Sequence, residues 1–446
     1  MQENSFSRNS LISFFTRVIV FVFGFITFII ITRVLGPEGK GIYSLVLLVP
    51  ALMLNFGNFG IGSANVYFTG KKKYKIQDII SNSLISAILF GSFLIVLFGV
   101  LLQFSFFQKF IHYDQLPHLY LWIVVFSIPV SLLLGFFQNI IRGKGEITNY
   151  NKTKMLESIL GFIAIFVLLI VLKRGIFGAV FSSIFAVFGA TLFTIILVKK
   201  ISRIRLSFNK KLFKDSAVYG GKVYIANTVS FLNYRLDMFL IALFLNPAIA
   251  VASVGFYSIS VGIAEKLFMI PGAFSTVLFP KISSIKSSEA DDFTPKVVRH
   301  TFFIMLISCL FLFFLAKPLI TIIFGSVFLP AVLPLIILLP GIIAFGIGGV
   351  LAADLSGRGK PQFAIYSSIA CLIVNVILNI ILIPKLGISG AAFASSIAYW
   401  IDTIIILRVF LKISKKPLTE VLLIKSEDFQ DYYRLFFNLK NWVKTK

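Results

Sequence analysis

The chain is 446 residues long, 58% hydrophobic and only 13% charged, with 51 Phe among its side chains. That much apolar surface exceeds what a core of this size covers, which excludes a soluble enzyme or binding module and makes the bilayer the solvent. A formal charge of +24 would suit a nucleic-acid partner in a soluble chain. Here the Lys and Arg lie in short connections between apolar runs, as in cytoplasmic loops of membrane proteins, so no nucleic acid is expected.

Windows of about 20 residues predict twelve spanning helices, near 11–34, 41–64, 79–102, 117–141, 155–172, 176–198, 217–245, 250–278, 300–323, 329–353, 363–384 and 388–411. Arg17 followed by Val18–Ile31 has the outline of a signal peptide. No small-residue cleavage site follows, and the run reads as the first span. Gly57, Gly60 and Gly62 in the second span read first as packing positions. Span 4 carries Pro129 and Gly135, and span 10 carries Pro330, Pro334 and Pro340 with Gly341, Gly346, Gly348 and Gly349. Interrupted helices at matching places of two repeats mark a binding or moving region, whereas small residues also serve close helix packing. Both readings stay open. Residues 199–216 form a basic linker, a solvated positive loop or a surface helix that touches anionic lipid. Residues 413–446 read as a cytoplasmic tail, with Leu435, Phe436, Phe437 and Trp442 at the interface.

The even-numbered connections hold 21 Lys and Arg and the odd-numbered ones seven, Lys40 among them, which places both termini in the cytoplasm. The chain also repeats itself. Gly41-Ile42-Tyr43-Ser44 returns as Gly255-Phe256-Tyr257-Ser258 at an offset of 214, and Pro37 returns as Pro247 at 210. Gly175-Ile176-Phe177-Gly178-Ala179 matches Gly387-Ile388-Ser389-Gly390-Ala391 at 212, and Arg142-Gly143-Lys144 matches Arg358-Gly359-Lys360 at 216. A near-constant offset at separate places marks a duplicated unit. Six spans per copy is an even number, so the copies insert with the same orientation, the parallel-repeat plan of many transporters. The expectation is an all-α polytopic membrane protein: a six-helix bundle over 1–198, the linker 199–216, a second six-helix bundle over 217–412, and the tail.

No phosphate-cradling loop, dinucleotide fingerprint or catalytic constellation is present, so neither nucleotide hydrolysis nor another enzymatic activity nor a cofactor is expected. Cys309 and Cys371 lie in apolar runs, and His112, His118 and His300 show no ligand spacing, so no metal site is expected. Charge inside the spans is the stronger signal, because it is costly there and faces a cavity or a partner. Arg235 and Asp237 in span 7 and Glu265 and Lys266 in span 8 point to a water-filled transport cavity, or to a salt-bridge cluster that locks helices. Arg17 and Lys222 lie near span ends and either join that cavity or snorkel. Asp402 and Arg408 are expected to pair or snorkel. Arg17, Lys222, Arg235 and Lys266 are the candidate anion ligands, and Asp237 and Glu265 the candidate ion-coupling carboxylates.

Arg33-Val34-Leu35-Gly36-Pro37 running on to Ser44, Val254–Ser258, Leu278-Phe279-Pro280-Lys281-Ile282, and the run from Gly357 through Asn375, Asn379, Ile383-Pro384 and Gly387 to Ala392 carry a resemblance. In this order the chain resembles the polysaccharide-transporter, or Wzx-type oligosaccharide flippase, family of the multidrug/oligosaccharidyl-lipid/polysaccharide exporters, over nearly all of 8–412. The resemblance implies a flippase of the bacterial inner membrane that moves an undecaprenyl-pyrophosphate-linked oligosaccharide outward for surface-polysaccharide synthesis. It also implies glycosyltransferases and a polymerase as pathway partners. Thr16-Arg17-Val18 is similar to the start of the MurJ-type lipid II flippases, in which that Arg faces the cavity. Phe23-Gly24 stands where those proteins carry an Arg-Asp pair, so lipid II is not the expected substrate.

Two other classes compete. A drug/cation antiporter of the same superfamily would favour acidic embedded groups, and the embedded charges here lean cationic. A membrane polymerase or ligase needs a large outer loop, and no outer connection exceeds about fifteen residues, well short of a domain-sized insertion. A non-transporting scaffold fits poorly with duplicated spans that carry charge.

Overall fold

The computed structural model describes residues 2–111 and 113–429, with side chains described except at 2–11, 14, 110 and 222. His112 and the stretch holding Leu435, Phe436, Phe437 and Trp442 lie outside the described residues. Among the described residues the chain is helical without strands. In order the helices are α1 (Gln2–Gly57), α2 (Ile61–Lys71), α3 (Ile76–Leu101), α4 (Ser105–Phe110), α5 (His118–Phe126), α6 (Ile128–Gly143), α7 (Ile147–Ile165), α8 (Gly175–Ile201), α9 (Lys210–Phe244), α10 (Pro247–Ala264), α11 (Met269–Ser284), α12 (Ser287–Ile323), α13 (Val332–Gly357), α14 (Gln362–Leu386), α15 (Ile388–Ser414) and α16 (Leu418–Leu422).

Among the described residues ten helical stretches are long and apolar enough to cross a bilayer. One of them, Phe15–Gly57, joins two of the predicted spans across Gly36, whose φ of 68° breaks the helix before Pro37 restarts it. α9 is not among the ten because Asn233, Arg235 and Asp237 interrupt its apolar run. With that division and α9, each of the twelve predicted spans falls on helix. Large apolar side chains such as Phe106, Phe311 and Phe314 are exposed at 73%, 67% and 74%, as lipid-facing positions require.

The duplicated motifs fold alike. α7 continues through a π-helical turn, Phe166–Val171, and the chain enters α8 at Gly175 with φ 56°; α14 passes to α15 at Gly387 with φ 61°. That left-handed conformation is strained for a residue with a Cβ, which accounts for glycine in both copies.

Contacts gather into two compact units, one running to Ser258 and including Ile322–Phe328, the other made of Ile259–Thr321 and the chain from Leu329 onward. In the first, Ala64, Phe68, Ile79, Ile80, Phe137, Ile140 and Val198 form a core cluster that α9 joins through Leu212. The middle of the linker is a non-helical stretch with Arg203 and Arg205 exposed. Residues 203–209 run outside any helix, and the chain is strapped to α3 where Ser81 donates to the Arg205 carbonyl and Asn82 Nδ2 donates to the Asn209 carbonyl at 2.8 Å. The Asn209 side chain then caps α9 by accepting from the Leu212 N–H. At α12's last turn, Arg33 donates to the Ile322 and Ile323 carbonyls, the second through Nε at 2.5 Å. A cation there satisfies acceptors a helix end leaves open and meets the negative end of the dipole.

In the second unit, α13 runs unbroken through Pro340, and its glycines admit neighbours: a Cβ at Gly341 would collide with the Ser396 backbone. Close packing therefore describes Gly341, Gly346 and Gly348, whereas Gly349 has no neighbour within 4 Å of where a Cβ would stand. The core here, Leu278, Ile282, Val298, Val350, Leu355, Ile406 and Phe410, also takes in Val421 of α16. The start of the expected tail is thus structural. Arg299 holds Asp428 through Nε at 2.6 Å and Nη2 at 2.9 Å and donates from Nη1 to the Glu420 carbonyl at 2.7 Å. Phe429 packs edge-on against Phe303.

Candidate substrate and ion site

The two copies of the hinge motif meet each other in the first unit. Gly41 lies so close to α10 that a Cβ would overlap the Val251 carbonyl, and Gly255 lies so close to α1 that a Cβ would overlap the Pro37 carbonyl. At the offset of 214, residue 41 corresponds to 255 and residue 37 to 251. The contact is therefore reciprocal, the signature of two-fold-related surfaces. Beside it, Tyr43 shares a hydrogen bond of 3.1 Å with Ser183 in α8, whereas its counterpart Tyr257 donates to Asp237 Oδ2 at 2.8 Å. The same tyrosine is thus structural in one copy and binds an acid in the other.

Past the far end of α1, a Cβ at Gly60 would overlap the Gly220 carbonyl of α9. Around that contact Tyr67 stacks on Tyr219 at 4.3 Å between ring centroids, Phe59 stacks on Tyr224 at 6.0 Å, and Asn55 Nδ2 donates to Thr228 Oγ1 at 3.3 Å. Asp215 ends this seam, accepting from Lys73 Nζ at 2.8 Å and the Tyr74 hydroxyl at 2.6 Å. These hydrogen bonds, Lys73's first, hold the Asp215 carboxyl below its usual range. Between hinge and seam lies a cavity of about 230 Å³ lined solely by apolar residues, among them Val49, Met53, Phe56, Leu94, Phe98 and Phe239.

The sequence-predicted residues divide between the two units. Asp237 is 4% exposed and held by Tyr257. Arg235 is half-buried, with Nη1 donating to the Tyr234 carbonyl at 3.3 Å. Two positions apart on one helix, the pair faces different ways. Arg17 is exposed on α1, and the side chain of Lys222 lies outside the described residues. Glu265, half-buried, and Lys266, exposed, open a 3₁₀ turn, Glu265–Phe268, in the second unit.

Two embedded charges behave otherwise than expected. Lys40, counted as an outer-loop cation, is 6% exposed inside α1, its Nζ 5.0 Å from the Phe28 ring centroid and 5.2 Å from that of Tyr43, a cation–π arrangement. It lies four residues past the break at Gly36, within the restarted helix. Asp402 neither snorkels nor pairs with a cation among the described residues; it is 5% exposed at the middle of α15, while Arg408 is exposed. Arg358 spans Asp354 at 2.7 Å and Asp291 at 2.6 Å, and Thr294 donates to Asp354 at 2.6 Å. This buried network had only the repeated Arg-Gly-Lys as a sequence sign. Among the described residues no group of three or more His, Cys, Asp or Glu is placed to hold a metal.

Among the described residues, long apolar helices with polar groups inside the spans and a reciprocal hinge contact make this a multi-pass membrane protein, and its fold is that of the multidrug/oligosaccharidyl-lipid/polysaccharide exporters. A lipid II flippase MurJ in an inward closed conformation superposes with a TM-score of 0.73 at 19% identity, covering 91% of this chain and 90% of that one. An inward-facing MATE family multidrug transporter of that superfamily gives 0.70 at 17% identity, covering 89% and 95%. The chain belongs to the polysaccharide biosynthesis protein family, whose pattern residues 6–286 match. A putative O-antigen transporter of Shigella flexneri is 24% identical over 405 residues, covering 84% of this chain and 90% of that protein.

Proposed function

We propose that the protein is a flippase that carries a lipid-linked oligosaccharide, borne on undecaprenyl pyrophosphate, across a bacterial inner membrane by alternating access. In this reading both termini are cytoplasmic and the chain serves cell-surface polysaccharide synthesis alongside glycosyltransferases and a polymerase. Family membership supports the pathway, and the relatives named as an O-antigen transporter and a lipid II flippase support the kind of cargo. The single observation that carries the transport mechanism is the reciprocal hinge. Backbone against backbone at Gly41–Val251 and Gly255–Pro37 is a pivot without long side chains to shear, which suits rocking about a fixed region.

An anionic pyrophosphate leaving water needs fixed cations, and Arg meets phosphate oxygens with two parallel hydrogen bonds where Lys offers a point charge. Arg235 is the principal headgroup ligand in this proposal, with Arg17, Lys222 and Lys266 as helpers and Asp237 and Glu265 as ion-coupling carboxylates. In vesicles loaded with a fluorescent lipid-pyrophosphate oligosaccharide, Arg235→Lys is expected to slow flipping about tenfold and Arg235→Ala to abolish it, at unchanged membrane levels. Wild-type flipping by Arg235→Ala would remove the headgroup role. Export of small cations with no lipid movement would replace the reading by that of a drug exporter.

A further inference from the structure

Asp402 lies 14 residues from the start of α15 and 12 from its end, roughly 20 Å from either end at 1.5 Å per residue. Its carboxyl is therefore at the midplane of a spanning helix. Oδ1 has no hydrogen-bond partner, and no cation pairs with the carboxyl among the described residues. Two hydroxyls lie beside it. Ser367 hydrogen-bonds the carboxyl, with the Ala364 carbonyl at 3.1 Å competing for the same proton. Thr403 donates to the Ala344 carbonyl at 2.7 Å. A hydroxyl has one proton to give, so Ser367 serves at most one carboxylate oxygen and Oδ1 is left without a donor.

The remaining charges on the helices packed around Asp402 are accounted for. On α13, Asp354 and Arg358 satisfy each other. On α15, Arg408 and Lys412 are exposed, and on α14, Lys385 is exposed at the far end. α13 presents Gly348 to the site, and a Cβ there would lie 3.3 Å from Asp402 Oδ2 and 2.8 Å from Thr403 Oγ1. A negative charge at this depth, with one orphan oxygen and no paired cation among the described residues, is among the costliest arrangements a protein can hold.

We propose that Asp402 is an exchangeable-cation site, its carboxyl neutralised by a bound proton or sodium ion within the α13–α14–α15 cluster. Charge then enters and leaves the second unit at a residue apart from Asp237 and Glu265, and the assignment stands whether or not the cargo is a lipid-linked sugar. Asp402→Asn keeps the shape and removes the charge.

The test uses the purified full chain in lipid vesicles without substrate. Infrared difference spectra between neutral and alkaline pH read the proton. The wild type is expected to show the carbonyl band of a protonated carboxylic acid, one per chain, that is missing from Asp402→Asn. Melting temperature at constant ionic strength, with sodium exchanged for choline, reads the sodium ion, since a ligand bound only by the folded state raises stability. There the variant should bind at least tenfold more weakly. Either difference supports the proposal and names the cation. Identical infrared spectra together with identical sodium dependence in wild type and variant overturn it. Should Asp402→Asn not assemble, Gly348→Ala keeps the acid and crowds Oδ2. A shifted band or a tenfold weaker sodium effect is expected, and wild-type behaviour by both measures overturns the assignment.

Discussion

Arg299 grips Asp428 with two hydrogen bonds, and this holds the Asp428 carboxyl down to about 2, burial opposing and the Lys425 N–H and the charges of Arg299 and His300 assisting. A carboxyl depressed from about 3.9 in the unfolded chain contributes stability that is whole above that value and is lost as the pH falls toward 2. Asp428→Asn leaves Arg299 buried without its partner and is expected to cost roughly 2–5 kcal/mol at pH 7. The variant should also lose the part of the wild-type decline between pH 5 and pH 3 that this carboxylate causes. Melting temperatures of both proteins across that range check it, and parallel curves would deny the pairing a role. Composition alone made residues beyond 412 a polar tail, because charge is legible in a sequence while a partner 129 positions away is not. Lys40 misled in the same way: a cation beside Gly and Pro reads as solvated until the fold puts two aromatic faces over it.

At the scale of elements, the hinge was half legible. The repeated Gly-x-Tyr-Ser stood out as an echo, but that the two copies touch each other is a property of the assembled helices. The prolines suggested an offset of 210, whereas the contact obeys 214 and pairs Pro37 with Val251. Four extra residues before Gly255 are absorbed by starting α10 earlier, at Pro247. Each glycine faces a carbonyl of the other helix, so Gly41→Ala and Gly255→Ala should be about equally damaging. Overpacking of this kind costs typically 1–3 kcal/mol. Because both variants push apart the same pair of helices, the double variant should cost clearly less than the sum. Thermal unfolding of the three variants tests this, and strict additivity would mean that the two contacts are independent. The π-helical turn at Phe166–Val171 left no mark in the sequence, since its residues are uniformly apolar.

For the molecule as a whole, the spans were legible in hydropathy, because a bilayer imposes length and polarity on each helix separately, and the duplication in motifs repeated at a near-constant offset. The route of charge through the protein is not legible that way, since it depends on which embedded groups find partners. Asp237 finds Tyr257, Asp354 finds Arg358 and Asp402 finds no cation among the described residues. On the proposed flippase reading, and with no nucleotide-binding loop read in the sequence, the work of moving a polar headgroup is expected to come from a gradient or from the membrane potential, worth about 2.3 kcal/mol per charge per 100 mV. Vesicles that flip cargo under an imposed potential with proton and sodium gradients should therefore fall to passive rates when all three are collapsed. ATP added to the cytoplasmic face should change nothing. The sidedness needed for that assay has its own check: reporter fusions at Lys73 and Lys211 should read cytoplasmic and one near Asp114 external. If transport survives the collapse of every gradient while the fusions read as expected, the embedded carboxylates are structural and the cargo moves downhill on its own.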